Sequence, residues 1–364
     1  MNQDSRAALH RTVSSALSQR TDDELRRKLA SATPWGDGIG GDAAVLSVAG
    51  TNVFVKHLPL TDVEQQPQIA GTTSNIFSLP MHCHYGVGAP STGAWRELSA
   101  HQITSDWVVN GKCDAFPVLH HWRVLARDRP AFLNCAEHGD VETWIKFWHG
   151  SDAVRRRLKA LSEAPADLVL FLEYLPRTLA VSLEDSLSVG AEAIDAMLCR
   201  VEAQLLDLAR FMAAEGLWHF DAHLNNILAD DDRLYLSDFG LAASSSFDLT
   251  AAEARFLDHH VEHDVAYLVT QLVNWIAMRL TNAGRHWTHP RERNEYVRRV
   301  ASGDQPAELR PRAAGLLKRY SPVAAVMNDF YFALHGTSRL TPYPAAAVHD
   351  ACRASGIELA KASS

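Results

Sequence analysis

The sequence predicts an α+β chain of two lobes, and three observations predict it. Strand-like runs of apolar and β-branched residues are confined to the first half and end near Glu173. From about residue 190 onward nearly every segment carries apolar residues at helical spacing. The chain has 364 residues, 47% hydrophobic and 21% charged, which is enough to bury a real core. At roughly 100–200 residues per domain the length allows about two folded units. Strands first and helices afterwards place the junction near residues 173–177.

Residues 5–30 are rich in Ala, Arg, Leu and Glu with apolar positions at helical spacing, and predict an amphipathic helix or two, an extension spanning 1–30. A Gly-rich turn follows at Gly36 to Gly41. The runs Ala43–Val48 and Asn52–Val55 read as strands joined through Ala49-Gly50-Thr51 as a hairpin connection. Residues 57–92 mix Pro, Gly, Ser and Thr and read as a long, partly irregular insertion. Trp95 to Trp107 has helical periodicity. Ala115 to Leu125 and Leu168 to Glu173 read as strands, with a charged helical stretch at about 140–163 between them. Beyond Pro176 helices dominate, including Ala191 to Ala214 and Val265 to Leu280. The expected partition is an N-terminal extension over 1–30, a β-rich part over 31–174 and a helical part over 175–364.

Composition narrows the function classes. A net charge of −8 lacks the basic footprint that nonspecific nucleic-acid binding needs, and leaves cationic or neutral substrates open. The five cysteines, Cys83, Cys113, Cys135, Cys199 and Cys352, show no CxxC spacing and read as reduced thiols. The first thirty residues have no apolar core of a secretory signal, and no run of eighteen apolar residues exists. The expectation is a cytoplasmic protein with neither a nucleic-acid nor a membrane partner.

The chemistry concentrates between Glu215 and Ala242. A long helix is expected to end at Gly216. The following loop presents Asp221 and, five residues later, Asn226; after a turn at Asp230-Asp231-Asp232 and the short run Leu234-Tyr235-Leu236, the next loop presents Asp238. An Asp–Asn pair of oxygen donors suits hard, octahedral Mg²⁺ better than zinc. Asp221 is then left to accept a proton.

His219-x-Asp221-x4-Asn226 resembles the catalytic loop of the protein-kinase superfamily, and Asp238-Phe239-Gly240 its metal-binding loop. The resemblance implies a bilobal, protein-kinase-like fold with a small β-rich N-lobe and a mainly helical C-lobe. It also implies an upstream phosphate clamp. Gly36-x-Gly38-x-x-Gly41 fits the Gly-rich loop, and Lys56, at the end of Val53-Phe54-Val55, falls where the family's strand lysine sits. Alone, these are a glycine turn and a solvated edge lysine; in sequence they reinforce each other. Glu97 is the candidate to orient Lys56, with Glu64 as its rival. Glu173-Tyr174-Leu175 resembles the hinge whose backbone holds adenine, and Asp264 resembles the structural Asp opening a central helix. The resemblance covers about residues 30–280.

Departures from the family bear on the acceptor. Phe220 replaces the loop arginine that receives a regulatory phosphate, which predicts activity independent of phosphorylation at Ser244, Ser245, Ser246 or Thr250. His223 stands where protein kinases carry a lysine, as in the aminoglycoside-phosphotransferase branch, and no Ala-Pro-Glu lies between Asp238 and Asp264. The flanks Gly216 to His219 and Phe239 to Ala242 look instead like Ser/Thr kinases. From Asp221 to Asp264 ten acidic residues face only Arg233 and Arg255, a balance that attracts a basic peptide or a small cationic metabolite or else simply faces water. His82-Cys83-His84 and His259-His260-x-x-His263 lack a metalloprotease pattern and read as structural or surface residues.

The implied machinery uses ATP and Mg²⁺. Gly36, Gly38 and Gly41 cover the phosphates, Lys56 holds the α/β oxygens with Glu97 orienting it, and Asn226 and Asp238 bind the metal. Asp221 takes the hydroxyl proton and His223 steadies the γ-phosphate. The expected acceptor is Ser/Thr of a protein or peptide; the alternatives are a small-molecule kinase and a catalytically silent binding module.

Overall fold

The computed structural model describes residues 3–35, 43–86, 88–127 and 140–359. The chain divides into two units, Met1–Pro176 with Tyr235–Thr250, and Arg177–Leu234 with Ala251–Ser364. The mixed α+β class follows directly, because the larger sheet belongs to the first unit while the second is built mainly of helices.

The first unit begins with helices α1 (Gln3–Ser18) and α2 (Asp22–Leu29), the latter started by reciprocal bonds between Thr21 and Glu24. Strands β1 (Thr33–Pro34), β2 (Ala43–Val48) and β3 (Thr51–Leu60) follow, then α3 (Ala94–Val109) and β4 (Leu119–Ala126). Helices α4 (Val141–Phe147) and α5 (Asp152–Ser162) lead into β5 (Ala166–Glu173). The strands form one antiparallel sheet in the order β1-β2-β3-β5-β4.

Val48 pairs with Thr51, so the hairpin turn is the two residues Ala49 and Gly50, one shorter than expected. Both hold left-handed backbone, with φ of 49° and 80°, the turn geometry that matches strand twist. Side chains alternate along β3. Val53 and Val55 join Val13, Leu17 and Leu25 from α1 and α2, whereas Leu58 and Leu60 meet Ala94, Trp95 and Leu98 from α3. The N-terminal helices are therefore one wall of this unit's core and not an extension of it.

The insertion expected from residue 57 starts at Thr61, since β3 runs on to Leu60. Its Phe77, Leu79 and Cys83 bury against Trp144, Trp148, Val154 and Leu158 of α4, α5 and the turn joining them. The Gly88 carbonyl accepts both Trp144 and Trp148 indole N–H groups, at 2.7 and 3.0 Å. Asp238 was expected with the helical part, but residues 235–250 belong to the first unit. Leu236 donates its N–H to the Ala115 carbonyl at 3.0 Å, and the buried Phe239 ring packs on His101 and Phe116.

The second unit contains α6 (Leu179–Val189), α7 (Ala191–Ala214), α8 (Ala251–Asp258), α9 (His263–Leu280), α10 (Pro290–Ala301), α11 (Pro311–Gly336) and α12 (Ala345–Ala354). Helix α9 is apolar nearly all round, from Val265 to Ala277, and is accordingly buried, with α7, α10, α11 and α12 against it. Asn274 and Asn328 exchange amide hydrogen bonds of 2.9 Å between α9 and α11. Gly216 takes left-handed backbone (φ 64°) just past α7. Among the described residues no helix is long and apolar enough to cross a membrane, and Cys83, Cys113, Cys199 and Cys352 are free thiols.

Candidate active site

In the first unit, strand alternation puts Lys56 on the sheet face shared with Leu58 and Leu60, the face that α3 covers. Glu97 is the fourth residue of α3, so it projects from the helix's first turn toward that face. Lys56 Nζ lies 2.8 Å from Glu97 Oε1 and 2.8 Å from Asp238 Oδ1. Glu64, the rival partner, is instead paired with Arg157 at 2.9 Å.

Burial alone would pull the Lys56 ammonium down, but the Asp238 and Glu97 carboxylates beside it hold its pKa well above the usual lysine value. Burial pushes the Glu97 carboxyl up, Lys56 opposes this, and the like charge of Asp238 adds to it. One ammonium thus serves two carboxylates, and the trio carries a formal charge of −1. Its open side is Asp238, whose side chain is 40% exposed against 9% for Lys56 and 3% for Glu97. Asp238 has left-handed backbone (φ 65°), and its Oδ1 also accepts the Gly240 N–H at 3.4 Å. A Cβ at Gly240 would stand 3.4 Å from both Asp238 Oδ1 and Glu97 Oε2.

The second unit carries the loop 219–226. Asp264 lies in the first turn of α9, whose N-cap residue Glu262 makes no side-chain capping bond. The Asp264 carboxylate accepts the N–H of His219 at 2.6 Å and of Phe220 at 2.9 Å. Phe220 has left-handed backbone (φ 64°), and its buried ring sits among Phe256, His260 and His263. His263 is fully buried, with Nδ1 3.2 Å from Asp264 Oδ1 and Nε2 3.0 Å from the Tyr331 hydroxyl. Burial would raise the Asp264 carboxyl, but His263, His219 and the donated N–H hold it below the usual carboxylate range.

Asp221, His223 and Asn226 are brought together on that loop. Asn226 Nδ2 donates to the Asp221 carbonyl at 2.9 Å and lies 3.5 Å from Asp221 Oδ2. The Asp221 carbonyl also accepts the His223 N–H at 2.8 Å, and the His223 carbonyl the Asn226 N–H at 2.9 Å. His223 Nδ1 accepts the Asn225 N–H at 3.2 Å, so the neutral ring carries its proton on Nε2. That Nε2 lies 3.9 Å from Asp221 Oδ2, with the two side chains 35% and 27% exposed. Burial and the Asp221 charge raise the pKa of Tyr267. Downstream the chain is anchored where Ala229 donates its N–H to the Arg177 carbonyl at 2.9 Å.

Gly36, Gly38 and Gly41 lie outside the described residues. Of the expected hinge, whose backbone is expected to hold adenine, Glu173 has its carboxylate and its N–H engaged within the first unit. Its carboxylate pairs with Arg6 of α1 at 2.6 Å and accepts the Val118 N–H at 3.1 Å, and its own N–H goes to the Val118 carbonyl. Arg6 further donates to the Asp114 and Phe116 carbonyls; no local pattern around residue 6 signals this role. Tyr174 meets Trp35 edge-on at 5.3 Å between ring centroids, and Leu175 is half-buried.

The histidine clusters have packing roles. His82 stacks on Trp148, His84 Nδ1 lies 2.9 Å from the Leu241 carbonyl oxygen, and His260 is stacked between Phe256 and Tyr343. Among the described residues no group of three or more His, Cys, Asp or Glu side chains is arranged to hold a metal ion. The oxygens of Asp238 in the first unit and of Asn226 in the second are each hard donors of the kind Mg²⁺ takes. No protein-family model matches the chain, and no curated protein matches it by sequence.

Proposed function

We propose that this chain is a bilobal phosphotransferase of protein-kinase-like fold that moves the γ-phosphoryl group of MgATP to a hydroxyl, first of all Ser/Thr of a protein or peptide. The observation that carries the reading is Lys56, buried and 2.8 Å from both Glu97 and Asp238. Stability gives no reason for such a trio, since well-packed apolar residues in place of buried ion pairs are often neutral or stabilising. A fixed positive charge beside an exposed carboxylate is what binding of a metal–phosphate group requires. The antiparallel order β1-β2-β3-β5-β4, covered by the helix that carries Glu97, supports the N-lobe part of the reading.

In this reading Lys56 holds phosphate oxygens and Glu97 keeps it oriented. Asp238 and Asn226 hold Mg²⁺, which when bound neutralises charge on the phosphates. Asp221 accepts the proton of the attacking hydroxyl, and His223 Nε2–H steadies the γ-phosphate. The roles of Gly36, Gly38 and Gly41 over the phosphates, and of the backbone from Glu173 to Leu175 at adenine, rest on the sequence resemblance. A small cationic acceptor is the second reading, favoured by His223 beside Asp221 in place of a lysine.

The test is transfer of label from γ-labelled ATP with Mg²⁺ to the protein itself, a peptide panel and an aminoglycoside panel. Asp221→Asn should cut transfer by about 10²–10⁴-fold, the contribution of a general base, while ATP still binds. Label on small molecules alone selects the second reading. ATP binding without transfer to any acceptor would overturn both and leave a silent binding module.

A further inference from the structure

Glu64 lies in the segment between β3 and α3, and its carboxylate is fully committed. It and Arg157 of α5 are each 1% exposed and 2.9 Å apart. Oε2 also accepts the Thr61 hydroxyl at 2.7 Å and N–H at 3.1 Å. Oε1 accepts the N–H of Ala94, the first residue of α3, at 3.0 Å. The residue before that helix is Gly93, which has no side chain to cap it; Glu64 supplies the missing acceptor, and a negative charge, from thirty residues upstream. The Glu64 carbonyl accepts the Trp95 indole N–H at 2.8 Å. The first turn of α3, with Glu97 in it, is thereby tied to a buried ion pair.

The same segment grips the stretch after Asp238. Arg96 donates to the Thr73 carbonyl at 2.5 Å and its guanidinium lies 5.8 Å from the Phe247 ring centroid. The Asp248 carboxylate accepts the Thr73 hydroxyl at 3.1 Å, the Thr73 N–H at 3.3 Å and the Thr72 hydroxyl at 3.2 Å. Thr73 Oγ1 in turn accepts the Asp248 N–H at 2.8 Å. The Gly240 carbonyl accepts the Thr92 N–H at 3.4 Å.

We propose that Glu64 and Arg157 are positioning residues, and that residues 61–86 and 88–92 are a built-in strut. The strut holds α3 and residues 238–250 in the arrangement where Lys56 meets Glu97 and Asp238. Related machinery is ordered by a phosphate docked on an arginine. Here Phe220 replaces that arginine and the ordering contacts are supplied in cis, so assembly of the trio needs no phosphorylation. The kinetic consequence rests on the phosphotransfer reading; the structural one does not.

The test uses the full chain, phosphatase-treated and confirmed unphosphorylated by mass, with two variants. Glu64→Leu/Arg157→Leu removes the pair without leaving a buried charge unpaired, and Asp248→Ala removes an exposed tie. Amide hydrogen exchange in the first turn of α3 should rise about tenfold in the double variant, as expected for loss of a helix cap, with β3 and β5 amides unchanged. Its kcat should fall by a similar factor. Asp248→Ala should speed exchange over residues 241–248 only. Should the double variant not fold, Glu64→Gln, which keeps an acceptor but loses the charge, should show a smaller rise in α3. Unchanged α3 exchange in the folded variant, or activity that depends on phosphorylation, overturns the proposal. Absence of transfer by the wild type would sink the phosphotransfer reading and leave the exchange data to decide the strut.

Discussion

Replacing Asp264 with alanine isolates what holds the loop that carries Asp221. The carboxylate accepts the N–H of His219 at 2.6 Å and of Phe220 at 2.9 Å, and neither residue has any solvent exposure. Hydrogen bonds to a charged group contribute about 1.5–3 kcal/mol each, so the pair contributes about 3–6 kcal/mol. Against this stands the left-handed backbone of Phe220 (φ 64°). That conformation costs a non-glycine residue about 1–2 kcal/mol, which a released loop would recover. The expected net loss is about 1–5 kcal/mol, read as a shift in urea denaturation at pH 7. Asp264→Asn, which keeps one acceptor, should fall between. Because the folded-state pKa of Asp264 lies below its ordinary value of 3.8, its contribution is complete above that pH. It fades only as pH falls through the folded value, so the penalty of the alanine variant should shrink in strong acid. A loss below about 1 kcal/mol at pH 7 would mean the loop does not depend on this carboxylate.

Two further outcomes follow from the first unit. Ala49 holds φ 49° in a two-residue turn, so Ala49→Asn should stabilise the chain by about 0.5–1 kcal/mol, seen as a higher Tm; an unchanged or lower Tm refutes the strain reading. His120 of β4 stacks on His10 of α1, and burial, His10 and Arg6 together push its pKa down to about 3. The unfolded chain therefore takes up the proton first, and stability present above pH 6.5 drains away as pH falls toward 3. The loss should be on the order of 2 kcal/mol between pH 7 and 5, and His120→Phe should flatten it; an equally steep acid limb in that variant counts against the assignment.

What the sequence made legible was whatever repeats locally. Strand alternation marked Ala43–Val48, and helical spacing marked Ala191–Ala214 to the residue. The end of β3 escaped because His57 and Pro59 look like loop residues. Leu58 and Leu60 nevertheless keep the alternation, and His57 Nδ1 lies 3.4 Å from Asp167 of the paired strand. In the candidate site, Lys56, Glu97 and Asp238 were legible from ordered motifs. Their supports were not, because ion pairs such as Arg6–Glu173 and Glu64–Arg157 join residues 167 and 93 positions apart, and no local periodicity encodes a partner at that distance. Glu173 is one end of such a pair: its strand was legible, and its Arg6 partner was not.

Phe220 and Asp238 extend the point from pattern to energy. Each sits in one of the two motifs, each is a non-glycine residue with left-handed backbone, and a glycine at either position would adopt it without strain. The fold accepts the strain because the side chains are needed. The Phe220 ring fills a buried aromatic cluster while its N–H binds Asp264, and Asp238 delivers a half-exposed carboxylate to Lys56. Ala49, Ser78, Ser91 and His149 share this backbone outside the two motifs, so what sets Phe220 and Asp238 apart is the charged partner each meets, Asp264 for the one and Lys56 for the other.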